Sequence, residues 1–532
     1  MKTSFDPLDM HHYRIEKLPK REKSRFEGIL AASGPFLALA AFILFSFVIK
    51  FDFLYAIQPD HLVSDAAKKA FEKIGPEAFT RNNEYMLGIF AAGIILWMTQ
   101  AIPNYLTSLM LIISLVLTGV LTEKTAYAQL GHPVMWLNIM SFVLASMLVV
   151  TGLAKRFALW LIIRFGKNAS TIFLTFLIIN LILSAFISAT TAKAAILLPI
   201  FMVIAAIYGA TGGENKNNFG RSIVLQNLLN INLGAGAFVT GSGANLLAAG
   251  IIGGAIGGNI FFADWMFAML PTMIILMLTG YILAMKVFFP LTPEERLPQI
   301  EGGMERLREE YQKLGKITLL EIRAAIIFIA ILALWTTDKL HGISPTAVAF
   351  FGAIIALLPR FGIVKWNDVD IPWHLMLFSA GAYTLGAGLD TTDLPLHVVT
   401  AVFDSLGISN EAHFWVLYLF LTGVMIYSAL LFQSKTMRAM IFIPIAIGVA
   451  NKFGFPVISL ALPVAFMIEH VYVLPFNSKP AALLYETNQY SLGDTFKLGI
   501  TLMTCAWVLN IILGETWFRY LGITPNGVFG LF

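Results

Sequence analysis

The sequence predicts an all-α polytopic membrane protein folded from two related halves, and three observations carry that expectation. Of 532 residues, 58% are hydrophobic and 13% are charged, whereas soluble domains carry about 25% charge. The apolar residues gather into runs long enough to cross a bilayer, which takes roughly 20 residues in a helix. Two of these runs, far apart in the chain, share a pattern. One reads Ala189-Thr190-Thr191-Ala192-Lys193-Ala194 and reaches Pro199; the other reads Ser434-Lys435-Thr436-Met437-Arg438-Ala439 and reaches Pro444. Each is a small polar cluster, a basic residue, an apolar run and a proline at a matched offset.

The elements follow in chain order. Residues 1–28 are polar and basic, with Arg14, Lys17, Lys20, Arg21, Lys23 and Arg25. That excess places the N-terminus in the cytoplasm. The run that follows is long enough to span, so no cleavable signal peptide is expected. The first membrane half covers 29–289. Its first span is 29–49, followed by a mixed-charge segment, 50–85, whose part 65–73 reads as an amphipathic surface helix. Spans follow at 86–103, at 106–121 and from Trp136 to Gly152-Leu153, and then an amphipathic stretch, 157–165, flanked by Lys155, Arg156 and Lys167. The last reads as a helix in the cytoplasmic interface.

The apolar region 170–209 is interrupted at Ser188-Ala189-Thr190-Thr191 and reads as a re-entrant hairpin. Irregular backbone at membrane depth is tolerated only where protein or a cavity surrounds it. Next comes a broken helix, 223–256, whose two halves around Gly241-Ser242-Gly243-Ala244-Asn245 are each too short to span. A span at 263–289 closes this half. Residues 290–322 form a charged linker, expected to be cytoplasmic and partly helical. The second half, 323–532, repeats the order. Spans lie at 323–338, at 345–359 and from Trp373 to Gly388-Leu389. A hairpin at 413–451 follows, then a broken helix, 456–487, interrupted at Pro475-Phe476-Asn477-Ser478-Lys479-Pro480, and a span at 494–515. The expectation is about 11 spans plus two re-entrant hairpins and two broken helices. An odd number of spans between equivalent elements makes the repeat inverted.

Lysine or arginine at membrane depth is expensive and by default marks a functional site. One such site in each half suggests a carrier with an anion site between the repeats. At each break, unpaired N–H groups and the positive end of a half-helix suit a carboxylate. Candidate binding residues are Ser188, Thr190, Thr191, Lys193, Ser242, Asn245, Ser434, Lys435, Thr436, Arg438, Asn477, Ser478 and Lys479. Lys193 and Arg438 are expected to hold anionic groups. The competing readings stay open: hydroxyls that only satisfy helix ends, and cations that snorkel to an interface. Glu469 is the coupling candidate, either pairing with one of these cations or carrying a proton, and His470 stands beside it. Asp390 and Asp393 read as interfacial. The single Cys505 matches no metal pattern and no cofactor is expected. No nucleophile–base pair stands at membrane depth, which argues against an enzyme. The basic N-terminus is a topology signal and not a nucleic-acid patch. A channel would not need two hairpins closing from opposite sides.

At these residues the chain resembles the divalent anion/sodium symporter family of di- and tricarboxylate carriers. The resemblance runs in order over nearly the whole chain, including Glu310-Tyr311-Gln312-Lys313-Leu314-Gly315 and Leu492-Gly493-Asp494 through Gly499. It implies an inner-membrane homodimer in which the hairpins and broken helices move as an elevator past a fixed scaffold, carrying a small organic anion. The departures are specific. The tips read Ala189-Thr190-Thr191 and Ser434-Lys435-Thr436 where the family has asparagine, and Lys479-Pro480-Ala481 stands where the first half keeps Gly243-Ala244-Asn245. In the family those asparagines and loop carbonyls help form sodium sites. The Thr-Thr-Ala-Lys tip is similar to the Thr-Thr-Ala-Arg of sodium-independent exchangers. The expected function is therefore sodium-independent exchange of di- or tricarboxylates. The alternatives are sodium- or proton-coupled symport of the same anions, or transport of an inorganic oxyanion such as sulfate.

Overall fold

Helices are the only regular elements among the described residues, which are 8–13, 25–210, 212–213, 216–300, 302–405, 407, 412–432 and 434–531 of a computed structural model. The basic residues Arg14, Lys17, Lys20, Arg21 and Lys23 lie outside them. Helix α1 (Arg25–Ile43) packs along α2 (Asp65–Thr99). Gly75 takes a left-handed φ of 77° before Pro76, so α2 is a short surface piece followed by a span. After α3 (Asn104–Leu117) and α4 (Pro133–Thr151), Gly152 at φ 71° turns the chain sharply into helix α5 (Leu153–Phe165). Only a residue that tolerates a left-handed backbone can make so tight a junction.

Helices α6 (Ala169–Phe186) and α7 (Thr190–Ile207) form the first hairpin. Helices α8 (Asn218–Gly236) and α9 (Gly243–Ala255) form the first broken helix, and α10 (Phe262–Ile282) follows. The linker contains α11 (Gly303–Lys313). The second half comprises α12 (Leu319–Thr336), α13 (Pro345–Leu357), α14 (Trp373–Thr392), interfacial α15 (Leu394–Ser405), a hairpin of α16 (Phe414–Tyr427) and α17 (Lys435–Lys452), a broken helix of α18 (Val457–Phe466) and α19 (Lys479–Tyr485), and α20 (Leu492–Glu515). Starts are written locally. Thr318 with Glu321, and Ser491 with Asp494, form reciprocal capping boxes at α12 and α20.

The halves pair reciprocally. Helix α3 packs on α14 while α13 packs on α4, and α7 packs on α19 while α17 packs on α9. Each hairpin thus lies against its own broken helix and reaches the half-helix of the other repeat. The close crossings use small residues: a Cβ on Gly381 would fall 2.3 Å from the Ser108 Cβ.

Among the boundaries that differ from the sequence expectation, two bear on the site. The turn equivalent to Gly152 is Asp393 (φ 49°), not Gly388, which lies inside α14 against Met86 and Leu115. A left-handed non-glycine needs compensation. Here the Asp393 carboxylate accepts hydrogen bonds from the backbone N–H groups of Val63 (2.8 Å) and Ser64 (3.0 Å). The second break also opens earlier than Pro475. Helix α18 ends at Phe466, so Glu469 and His470 lie in the break itself. The freed carbonyls of Met467 and Ile468 accept hydrogen bonds from the Arg438 guanidinium.

Candidate functional site

Four half-helices begin at the breaks: α7 at Thr190, α9 at Gly243, α17 at Lys435 and α19 at Lys479. Three are capped by serine. Ser242, Ser434 and Ser478 accept hydrogen bonds from the backbone N–H groups of Asn245 (3.2 Å), Met437 (3.4 Å) and Ala481 (3.2 Å). The fourth, α7, is preceded by Ala189, which offers no side-chain cap. Its first-turn N–H groups therefore keep their capacity for an anion.

Lys193 and Arg438 occupy equivalent places, each six residues before its proline, and both are 0% exposed. The Lys193 ammonium donates to Ser184 Oγ (2.7 Å) and to the Ile231 carbonyl (3.3 Å) near the end of α8. The Arg438 guanidinium donates from Nε to Ser428 Oγ (2.9 Å), from Nη1 to the Ile468 carbonyl (3.3 Å), and from Nη2 to the carbonyls of Met425, Ile426 (3.4 Å) and Met467 (3.4 Å). Carbonyls at the end of a helix carry its negative dipole and lack intrahelical partners. Arg438 therefore bonds the places where a hairpin arm and a broken helix stop, while Lys193 bonds the end of the first hairpin arm and a carbonyl five residues before the end of α8. In this conformation both heads bond protein carbonyls and hydroxyls. The serines involved, Ser184 and Ser428, escaped the sequence reading. Their signal was a serine nine residues before Lys193 and ten before Arg438.

A second group joins the repeats. Lys435 Nζ lies 2.7 Å from Glu469 Oε2, and Ser242 Oγ donates to Glu469 Oε1. Tip and break of the second half are thereby bonded to the break of the first, around a carboxylate that is 1% exposed. The Lys435 charge is paired with Glu469 in this conformation. His470 turns away and shares a 2.7 Å hydrogen bond with Tyr472 Oη.

The two breaks are also pinned. Asn245 Nδ2 donates to the carbonyls of Ala235 (3.0 Å) and Phe238 (3.1 Å). Asn477 Nδ2 donates to Ala429 (2.5 Å) and Phe432 (3.4 Å), so the second break is bonded to its own hairpin. Ser478 Oγ donates to the Val471 carbonyl (3.2 Å), and Thr240 Oγ1 donates to Ala185 (3.5 Å), bringing the first hairpin turn level with its break. Ser188 and Thr190 are buried at the first tip, while Thr191, Ser434, Lys435 and Thr436 are half-buried and Lys479 is exposed. The surface open to a ligand is thus a rim of hydroxyls, the flank of Lys435 and the uncapped start of α7. A separate cavity of about 580 Å³ lies between the far ends of α9, α14 and α17, lined by Asp65, His132, Tyr383, Asp390 and Asp393. No candidate binding residue lines it. No group of three or more His, Cys, Asp or Glu is placed to hold a metal ion among the described residues.

Known proteins match this arrangement over most of its length. Residues 75–524 match the sodium:sulfate symporter transmembrane region. A membrane protein of Cupriavidus necator is 24% identical over 469 residues, covering 84% of this chain and 89% of its own. The sodium-dependent dicarboxylate transporter SdcS of Staphylococcus saprophyticus is 26% identical over 455 residues, covering 80% and 85%. The chloroplastic dicarboxylate transporter 1 of Spinacia oleracea is 24% identical over 461 residues, covering 84% and 78%. With two hairpins, two broken helices and a polytopic helical frame, the chain belongs to the sodium:sulfate symporter family, the divalent anion/sodium symporters, and is a multi-pass membrane transport protein.

Proposed function

We propose that this protein exchanges small dicarboxylates across the membrane without sodium, with its own side chains supplying the positive charge that a bound cation would bring. The dicarboxylate class rests on the relatives, two of which are named for dicarboxylates. The observation that carries sodium independence is the pair of buried cations at the two breaks. A sodium ion would need the carbonyl and hydroxyl oxygens there. The Lys193 ammonium already takes Ser184 Oγ and the Ile231 carbonyl, and the Arg438 guanidinium takes Ser428 Oγ and the carbonyls of Met467 and Ile468. A further cation a few ångströms away would be repelled by several kcal/mol, about 4 at an effective dielectric of 20.

In this reading the anion sits between the tips. It takes hydrogen bonds from Thr190, Thr191, Ser434, Thr436 and the N–H groups of α7, with Lys435 and Lys479 on the rim and Ser188, Ser242, Asn245, Asn477 and Ser478 shaping the breaks. The built-in charge favours crossing when loaded, hence exchange. The carrier part moves as an elevator against the scaffold of α3, α4, α13 and α14, in an inner-membrane homodimer whose N-terminus is cytoplasmic.

The second reading is sodium-coupled symport, favoured by the relatives named as sodium-dependent. The test is uptake of succinate, citrate or sulfate into proteoliposomes, in sodium or choline, each with and without internal anion. Exchange predicts uptake that requires internal dicarboxylate and is equal in the two cations. Uptake that rises with sodium and ignores internal anion would establish symport instead.

A further inference from the structure

One buried feature has no part in the site described above. Helix α8 carries Ser222, Gln226 and Asn230, each at most 1% exposed, at spacings of four residues. Residues four apart share a helix face, their Cβ atoms roughly 6 Å apart. Ser222 Oγ, both polar atoms of Gln226 and both of Asn230 have no hydrogen-bond partner among the described residues. The neighbouring face of α8 carries Asn227, whose Oδ1 accepts from Asn180 Nδ2 of α6 (3.0 Å), and Asn180 Oδ1 is itself unpartnered. One turn further along α6, Ser184 Oγ donates to the Asn180 carbonyl (2.7 Å) and accepts from Lys193. The stripe on α8 runs from Ser222, near the linker, to Asn230, and the carbonyl of the next residue, Ile231, accepts from the Lys193 ammonium (3.3 Å).

Buried amides and hydroxyls are satisfied by protein or by ordered water in nearly every fold, because leaving them bare is costly. A buried water usually serves about three such groups. Gln226 and Asn230 are spaced for one water to bridge them, and the linker end of α8 is close to solvent: Asn218 N–H donates to Glu295 (2.6 Å) and Arg221 pairs with Asp494 (3.5 Å).

We propose that the unpartnered polar stripe of α8 holds a file of ordered water that joins the linker-side aqueous phase to Lys193 and carries protons to and from it. In the outward step an N–H bond of the ammonium breaks and its proton passes to the nearest water oxygen and along the file. The neutral amine then accepts the Ser184 hydroxyl hydrogen, released from the Asn180 carbonyl. The return step reverses each transfer, and no other reactant is consumed. Across the breaks the charged groups near Lys193 are Lys435 and Glu469, paired with each other. Of the other elements packed on α7, the turn Met10–Tyr13 carries His11, His12 and Tyr13, and α19 brings the exposed Lys479. Helices α5, α8 and α11 bring charges at its far end, where Arg156 pairs with Glu321 and Arg221 with Asp494. The inference rests on the reading of Lys193 as a built-in cation: below its titration midpoint the empty carrier keeps the charge and exchange is required, and above it the empty carrier crosses without the charge.

Two measurements test it. In a Cys505→Ser background, single cysteines at 222, 226 and 230 are compared with cysteines at Val224 and Leu228, on the opposite face of α8. A small methanethiosulfonate ammonium reagent, added from each side, should label the first three from the linker side and leave the two controls unlabelled. No labelling of the stripe, or equal labelling of both faces, overturns the water file whatever the transport mode. The second measurement is dicarboxylate exchange against pH in wild type, Lys193→Arg and Gln226→Leu. Arginine does not titrate in proteins, so Lys193→Arg should lose a pH dependence that wild type shows, and Gln226→Leu should slow exchange without moving the midpoint. A pH profile identical in wild type and Lys193→Arg overturns the proton role. Sodium dependence in the uptake assay would strike the exchange reading and leave the labelling result intact.

Discussion

Arg438 shows how one side chain holds the second half of the site together. Its three nitrogens reach a hairpin arm (Met425, Ile426, Ser428) and the opened end of a broken helix (Met467, Ile468) at once. Removing it would leave several buried carbonyls unpaired, at about 1–3 kcal/mol for each group fully stranded. Lysine can keep one or two of these bonds but not the planar fork. Arg438→Gln is therefore expected to lose most carboxylate transport and to lower the melting temperature in detergent. Arg438→Lys should fall between Gln and wild type in both. Wild-type transport and stability in the Gln variant would show that the fork is dispensable. The same reasoning gives Ser184 and Ser428 their place: short side chains that accept from a cation while their own hydroxyl hydrogen goes to a carbonyl of the preceding turn, Asn180 or Met425.

At the scale of elements, the reciprocal pairs α3 with α14 and α4 with α13 form the frame against which hairpins and broken helices are arranged. Between membrane helices the driving force is packing, which favours small residues at crossings. Gly381 is such a residue: any side chain there meets Ser108, whose Cα would lie 2.8 Å from the new Cβ. The obstacle is backbone and cannot swing aside. Gly381→Val should cost roughly 1–3 kcal/mol of overpacking. The expected result is a lower melting temperature in detergent, whereas a valine at Gly254, whose Cβ position has nothing within 4 Å, should change little. Equal stability of the two variants would mean that α3 and α14 do not cross this closely.

At the scale of the molecule, the linker is a fastened strap. Helix α11 packs on α5 and α7, and Gln299 N–H donates to the last carbonyl of α7, Ile207 (2.7 Å). Arg156 of α5 donates to Glu321 (2.5 Å) at the start of α12 and to the carbonyls of Leu314 and Gly315, both at 2.9 Å. One guanidinium thus ties the interfacial helix of the first half to the entry of the second. Charged hydrogen bonds of this kind contribute about 1.5–3 kcal/mol. Arg156→Ala should loosen the strap, read as faster proteolytic cutting within residues 290–318. Combining Arg156→Glu with Glu321→Arg should restore protection only in part, because the carbonyls of 314 and 315 lose their donor. Cutting rates unchanged by Arg156→Ala would show that other contacts hold the linker.

The sequence by itself determined the class of the protein, because bilayer-length apolar runs and cations placed within them are local patterns that lipid permits in few ways. Helix starts were legible for the same reason: Ser242, Ser434, Ser478 and Ser491 cap the helices that follow them within three residues. What lies across the fold was not legible. The end of α18 at Phe466 depends on Arg438, almost thirty residues earlier, taking the carbonyl of Met467. The left-handed turn fell to Asp393 and not Gly388 because Val63 and Ser64, 330 and 329 residues away, supply the compensating bonds. The pairing of Lys435 could not be read from spacing either: Glu469 reaches Lys435 and Ser242 together only once the two halves have packed. A helix or a cap is a short-range bargain between neighbours. The choice of which buried charge meets which carbonyl is made by tertiary packing, and it decided how the candidate site is built.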